Sequence, residues 1–143
     1  MAEARPERGL LDTSVVIDLE RIAATSLPAE VAVSALTMAE LAAGPHGTSD
    51  PDVRARRQER LQRAEATFAP IPFDAKAARA FGRLYAVVAA KGRKARGRRA
   101  IDLLIAATAM AEGLSLYTRN PADFGGLGDL LDVRPVDLAD RLL

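Results

Sequence analysis

The sequence contains no cysteine, which removes disulfides, thiolate nucleophiles and zinc–thiolate sites together. It contains one histidine, His46, so neither a histidine-rich metal site nor a histidine proton relay can be assembled. His46 itself, flanked by Pro45 and Gly47, reads as a loop residue. Any metal must therefore be held through oxygen. Tryptophan is absent and aromatic residues supply only 4% of the chain, so the core must be built mainly from Ala, Leu, Val and Ile, a composition that favours close helix packing. No apolar run approaches the roughly 18 residues needed to span a bilayer. The opening stretch is polar and charged and lacks the apolar segment of a signal peptide. No membrane association is expected, and the cytoplasm is the expected location.

What is present is enough for one compact domain of 143 residues, 49% hydrophobic and 27% charged. The expected division is a flexible N-terminal segment over residues 1–8 and a single domain over 9–143. The formal net charge of +1 conceals local asymmetry. Lys91, Arg93, Lys94, Arg96, Arg98 and Arg99 crowd one short stretch, Arg54, Arg56, Arg57, Arg60 and Arg63 mark another, and acids dominate the C-terminal end.

Along the chain, Gly9, Leu10 and Leu11 read as a buried strand ending at Asp12, with Thr13 and Ser14 as helix-capping residues and a helix through Val15 to Arg21. The stretch Glu30 to Ser34, with its β-branched residues, predicts a second strand, and Ser34 is placed to cap a helix through Leu36 to Leu41 that Gly44 and Pro45 end. Residues 52–67 predict a long Arg-rich amphipathic helix with Val53, Leu61, Ala64 and Phe68 inward. The following residues 68–73, interrupted by Pro70 and Pro72, fit a short edge strand or an extended connection. Asp74 can cap a helix over residues 75–90, with Ala78, Phe81, Leu84, Tyr85 and Val88 at helical spacing. The basic stretch 91–99 is expected as an exposed loop. The most apolar helix runs over 100–112 and stops at Gly113, residues 114–118 predict a buried strand, Asn120 and Pro121 open a turn, and residues 132–136 predict a last short strand. Strands alternating with helices imply an α/β fold around a mostly parallel sheet flanked by helices.

Ligands of such sheets bind beyond the carboxyl ends of the strands. Asp12 follows the first strand, Glu40 lies on the helix after the second, Asn120 and Asp123 follow the strand ending at Thr118, and Asp102 falls in the first turn of its helix. Each has a plainer explanation: a turn or cap for Asp12 and Asp123, a solvated helix face for Glu40, a favourable helix-dipole position for Asp102. Their surroundings argue for more. Asp102 is the sole charged residue between Ala100 and Ala111, and Glu40 the sole one between Glu30 and His46. A buried carboxylate without a partner is costly, and two acids embedded in apolar helices are better explained by a shared cation than by two independent accidents.

Four segments, Leu10 to Asp18, Ser34 to Gly44, Ala100 to Ala109 and Tyr117 to Phe124, resemble in their order and approximate spacing the PIN-domain family, and within it the VapC toxins of bacterial toxin–antitoxin pairs. The likeness covers nearly the whole chain. It implies a single PIN-like domain and a magnesium-dependent endoribonuclease, manganese being a possible substitute, whose cleavage leaves 5′-phosphate and 3′-hydroxyl ends. Carried over by residue, it makes Asp12, Glu40 and Asp102 the acidic core. Family members carry either Asp or Asn two residues after the strand-end Thr; this chain has Asn120 there, and Asp123 is assigned as the fourth acid. Thr13, Ser14, Thr118 and Asn120 are supporting residues that orient ligands, water or phosphate.

Magnesium prefers carboxylate and water oxygens and borrows phosphate oxygens from substrate; Asp12 and Asp102 are the candidate direct ligands, with Glu40 or Asp123 positioning or deprotonating a water. Clustered carboxylates repel a polyanion, so positive charge is needed at the rim, and the stretch holding Lys91, Arg93, Lys94, Arg96, Arg98 and Arg99 is the candidate RNA contact, its alternative being a solvated loop. The resemblance further implies a cognate VapB-type antitoxin covering the groove between helices, and a homodimer through apolar helical faces. The competing reading is a catalytically silent PIN fold that binds RNA or protein. A receiver-type phosphorylation domain does not fit, because Asp12 has no acidic neighbour and no Lys follows Lys94. A DNA-binding module leaves the buried acids unexplained.

Overall fold

The structure, a computed structural model, describes residues 8–139. The segment expected to be flexible lies outside the described residues except for Arg8, which opens the first strand. Four strands, β1 (Arg8–Leu11), β2 (Glu30–Val33), β3 (Ser115–Thr118) and β4 (Val133–Pro135), form one sheet in the order β2-β1-β3-β4. All three pairings are parallel. The helices are α1 (Thr13–Ile17), α2 (Ala35–Ala43), α3 (Pro51–Thr67), α4 (Ala75–Ala90) and α5 (Arg98–Ala111).

Strand periodicity divides the core in two. Leu10, Ala32 and Leu116 pack into a cluster with Ala80 and Leu84 of α4 and with Leu103, Ile105 and Ala109 of α5. Their neighbours Leu11, Val33 and Tyr117 face the other way, onto Val15, Leu41 and Ala64. This is the period-2 alternation of a sheet covered on both faces. The small side chains of α4 and α5 let the two helices lie against each other, as the scarcity of aromatics implied. Gly9 is required where it stands, because a Cβ there would lie 2.4 Å from Cε1 of Tyr117 on the adjacent strand. Among the described residues no helix is long and apolar enough to cross a membrane.

Local boundaries differ from the sequence expectation at four places. The first helix stops at Ile17 and a separate 3-10 turn follows over Leu19–Arg21. The residues expected as an edge strand contribute a single bridge, Ile71 to Ser34. On α4 the inward face is Ala77, Ala80 and Leu84, with the expected Phe81 and Val88 packed beside them, whereas Ala78 and Tyr85 are exposed. The last helix begins at Arg98 rather than Ala100, so only residues 91–97 of the basic stretch are loop, and Asp102 stands two residues, about half a turn, further into the helix than expected.

Candidate active site

The three longer strands end at Leu11, Val33 and Thr118, and the chain leaves each of them toward the same edge. Backbone pairing carries one residue further, Asp12 donating its N–H to the Tyr117 carbonyl at 3.0 Å, which fixes Asp12 beside the end of β3. There the Asp12 side chain is buried, with 4% exposure. Its Oδ1 caps α1, accepting from the Val15 N–H at 3.2 Å and from the Ser14 hydroxyl at 2.5 Å. The capping explanation is therefore correct for that oxygen. Burial nevertheless pushes the Asp12 carboxyl above its usual range, opposed by hydrogen bonds from Ser14, Thr118 and the backbone.

Glu40 is half-buried on α2. It accepts from the Thr13 hydroxyl at 2.5 Å, and Thr13 lies 3.0 Å from the hydroxyl of Thr37. Thr13 has one proton and gives it to the carboxylate, so Thr37 is the donor in the second bond. A relay Thr37 to Thr13 to Glu40 thus fixes the acid without a basic residue. Thr37, fully buried, was not singled out by sequence, since only the packing of α1 on α2 brings it to Thr13.

Asp102 is half-buried on α5. Its carboxyl is pushed up to about 6, by burial first and then by the negative charges of Asp12, Glu40 and Asp123, with Arg98 pulling in the opposite direction. The run from Ala100 to Ala111 holds no base, but one stands just before it. The helix extends back to Arg98, which places that guanidinium one turn away on the same side. Asn120 and Asp123 are exposed, at the start of and within a 3-10 turn, Pro121–Phe124. Thr118 accepts the Asn120 N–H at 3.0 Å.

A cleft of about 200 Å³ is lined by all four acids together with Thr13, Ser14, Asn120 and Arg98. Beside it, a narrow cavity is lined by Lys91, Arg93, Lys94, Arg99, Asp102 and Asp123. Five of the six basic candidates therefore border the acids, and Arg96, exposed on the loop, lines neither space. The acids share a cleft without closing on a point: among the described residues no group of three or more carboxylate or histidine side chains is arranged to enclose a metal ion.

One contact was invisible in the sequence. Arg119 donates to Oδ2 of Asp18 at 2.5 Å across a separation of 101 residues, and its backbone N–H reaches the Ser14 hydroxyl at 3.1 Å. The end of β3 is thereby tied to α1, and Ser14, held by Arg119, is aimed at Asp12.

A model of the PIN domain matches residues 9–125 of this chain. The sequence is 36% identical over 125 residues to Ribonuclease VapC5 of Mycobacterium tuberculosis, covering 85% of this chain and 89% of the relative. Among solved structures, the VapBC-5 toxin–antitoxin structure from Mycobacterium tuberculosis matches with a TM-score of 0.78 at 34% identity, over 93% of this chain and 100% of that one. FitAcB from Neisseria gonorrhoeae matches with a TM-score of 0.69 at 28% identity, over 87% and 95% respectively.

Proposed function

The chain belongs to the PIN-domain family, with VapC-type relatives, and from that membership we propose that it is a magnesium-dependent endoribonuclease toxin held in check by a cognate VapB-type antitoxin. The observation that carries the catalytic part is the gathering of Asp12, Glu40, Asp102 and Asp123 along one cleft at the carboxyl edge of a parallel sheet, with Asp102 raised to about 6 partly by the charges of the other three. Mutual repulsion of this kind is what a hard dication relieves. The donor set is all oxygen, which suits magnesium or manganese.

Asp12 and Asp102 would hold the ion. Magnesium keeps several waters and takes phosphate oxygens from substrate, so it can be held by one or two carboxylates. When bound, the ion supplies charge that polarises the scissile phosphate and acidifies a water. The protein's own groups do the rest. Hydrogen bonds from Ser14 and Thr118 favour the ionised form of Asp12 against the opposing effect of its burial. Glu40, its orientation set by Thr13, accepts a proton from the attacking water, with Asp123 as the other available base. The water oxygen bonds to phosphorus as the bond to the 3′ oxygen breaks. Asn120 orients the phosphate from the cleft wall, and Arg98 with the Lys91, Arg93, Lys94 and Arg99 rim offsets the charge of the incoming strand. The antitoxin would cover the groove between the helices. The protein would act in the cytoplasm, as a homodimer through apolar helical faces, for which the exposed Tyr85, 5.9 Å from Phe81 between ring centroids, is a suitable surface.

The test is to incubate wild type and Asp12→Ala with total RNA and magnesium, with a chelator control, and to map new 5′ ends. Specific cuts by wild type alone, lost on chelation, are expected. Equal cutting by both proteins, or cutting that survives the chelator, rejects the mechanism; RNA binding with no cutting favours the silent binding module.

A further inference from the structure

On the reading that the chain cleaves RNA, we propose that Arg56 and Arg60 of α3 form a phosphate track that carries the single-stranded RNA backbone away from the acidic cleft. The five arginines of α3 divide by what they already do. Arg54 donates to the carbonyls of Pro45 at 3.2 Å and Thr48 at 2.8 Å. Arg57 donates to the Gly44 carbonyl at 2.9 Å. These two hold the turn after α2. Arg63 pairs with Glu20 at 3.5 Å and Glu59 at 3.7 Å. Among the described residues Arg56 and Arg60 have neither a hydrogen bond nor an ion pair. They stand four residues apart, hence on the same side of the helix.

Their position connects them to the site. The acidic cleft opens past Thr13, Ile17, Glu40 and Arg98 into a groove of about 500 Å³ that those same residues help to line together with Arg56 and Arg60. A second groove of about 710 Å³ continues past Arg56 and Arg60 along α3. The acids in this continuation are outweighed: Asp18 pairs with both Arg119 and Arg21, Glu20 and Glu59 share the one charge of Arg63, and Arg56 and Arg60 add two further positive charges. What is left uncompensated along the path is positive, and it starts at the acids themselves, where Arg98 marks the junction. The occupant that fits is a polyanion leading out of the cleft, and under the proposed activity that is the RNA strand. Phe68 is the one aromatic side chain in the lining of these two grooves, so the track is recognised by charge rather than by base stacking, independently of sequence.

The experiment measures binding of a labelled mixed-sequence single-stranded RNA as a function of salt, with Asp102→Asn in every protein so that cleavage does not interfere. Against that parent, Arg56→Gln with Arg60→Gln should lower the slope of log affinity on log salt by about 1.4, two phosphate contacts at roughly 0.7 each, and Arg56→Lys with Arg60→Lys should restore it. A slope equal to the parent's in the glutamine variant overturns the track, including when that variant loses antitoxin binding instead, which would make the groove a protein dock. Failure of the underlying activity shows separately, as a parent that binds no RNA or a wild type that does not cut it.

Discussion

Ser14 makes two bonds at once, donating to Asp12 and accepting the Arg119 N–H, and its removal tests whether Asp12 depends on that setting. Ser14→Ala should weaken magnesium binding or cleavage about 10–100-fold, the range for loss of a group that orients a metal ligand, while leaving the folded state intact by circular dichroism. Undiminished activity would show that burial, Thr118 and the backbone set Asp12 without Ser14. Asp102 allows a prediction in pH. Its carboxyl is pushed up to about 6 in the folded protein, above its ordinary value of 3.8, so the folded state holds the proton more tightly than the unfolded state does. The stability associated with that proton is present below about pH 4 and is lost as pH rises through about 6. Asp102→Asn, which cannot lose a proton, should therefore gain melting temperature relative to wild type as pH is raised across this window in metal-free buffer. A difference that stays flat or shrinks with pH would show that neither burial nor the neighbouring acids hold the Asp102 proton.

Single elements show which features are local enough to read from sequence. Helix starts capped by side chains were legible at Ser34 and Asp74, each of which accepts a backbone N–H of the helix it begins; Asp50, which does the same for α3, was not singled out. So was the stop after α5, where Leu114 donates to the Ala109 carbonyl at 2.9 Å and Gly113 to Met110 at 3.2 Å, with Gly113 at φ +68°. That is a Schellman closure, which needs a left-handed residue. Gly113→Ala should cost about 1–2 kcal/mol in denaturant unfolding, and a cost near zero would mean the end of α5 frays without it. The start of α5 was not legible, because its cap is Gly97 at φ +58° with no side-chain bond, and no residue type announces it. Missing two residues of helix concealed that Arg98 stands one turn before Asp102 on the same helix. The acids themselves could be found because each stands out from an apolar helix or strand end and matches a family segment. The groups that hold them could not: the Thr37 hydroxyl and the Asp18–Arg119 pair acquire meaning only when distant segments pack, and sequence spacing carries no trace of that.

At the scale of the whole molecule, the cleft lies where two cores meet across one sheet. Asp12 and Glu40 come from β1, α1 and α2, on the side of the cluster containing Val15, Leu41 and Tyr117. Asp102 comes from α5, whose buried side chains belong to the cluster on the opposite face. An ion shared by Asp12 and Asp102 would therefore join the two layers rather than stiffen one loop. Bound only by the folded state, magnesium at 100 times its dissociation constant should add about 2.7 kcal/mol of stability. The gain should appear in hydrogen exchange as slower opening of both α1 and α5, because releasing either layer breaks the shared site. With Asp12→Asn or Asp102→Asn the gain should be lost from both helices together. Protection confined to α1 in wild type, with α5 exchanging as in metal-free protein, would mean that Asp102 takes no part in holding the ion and that the acids of the two layers act separately.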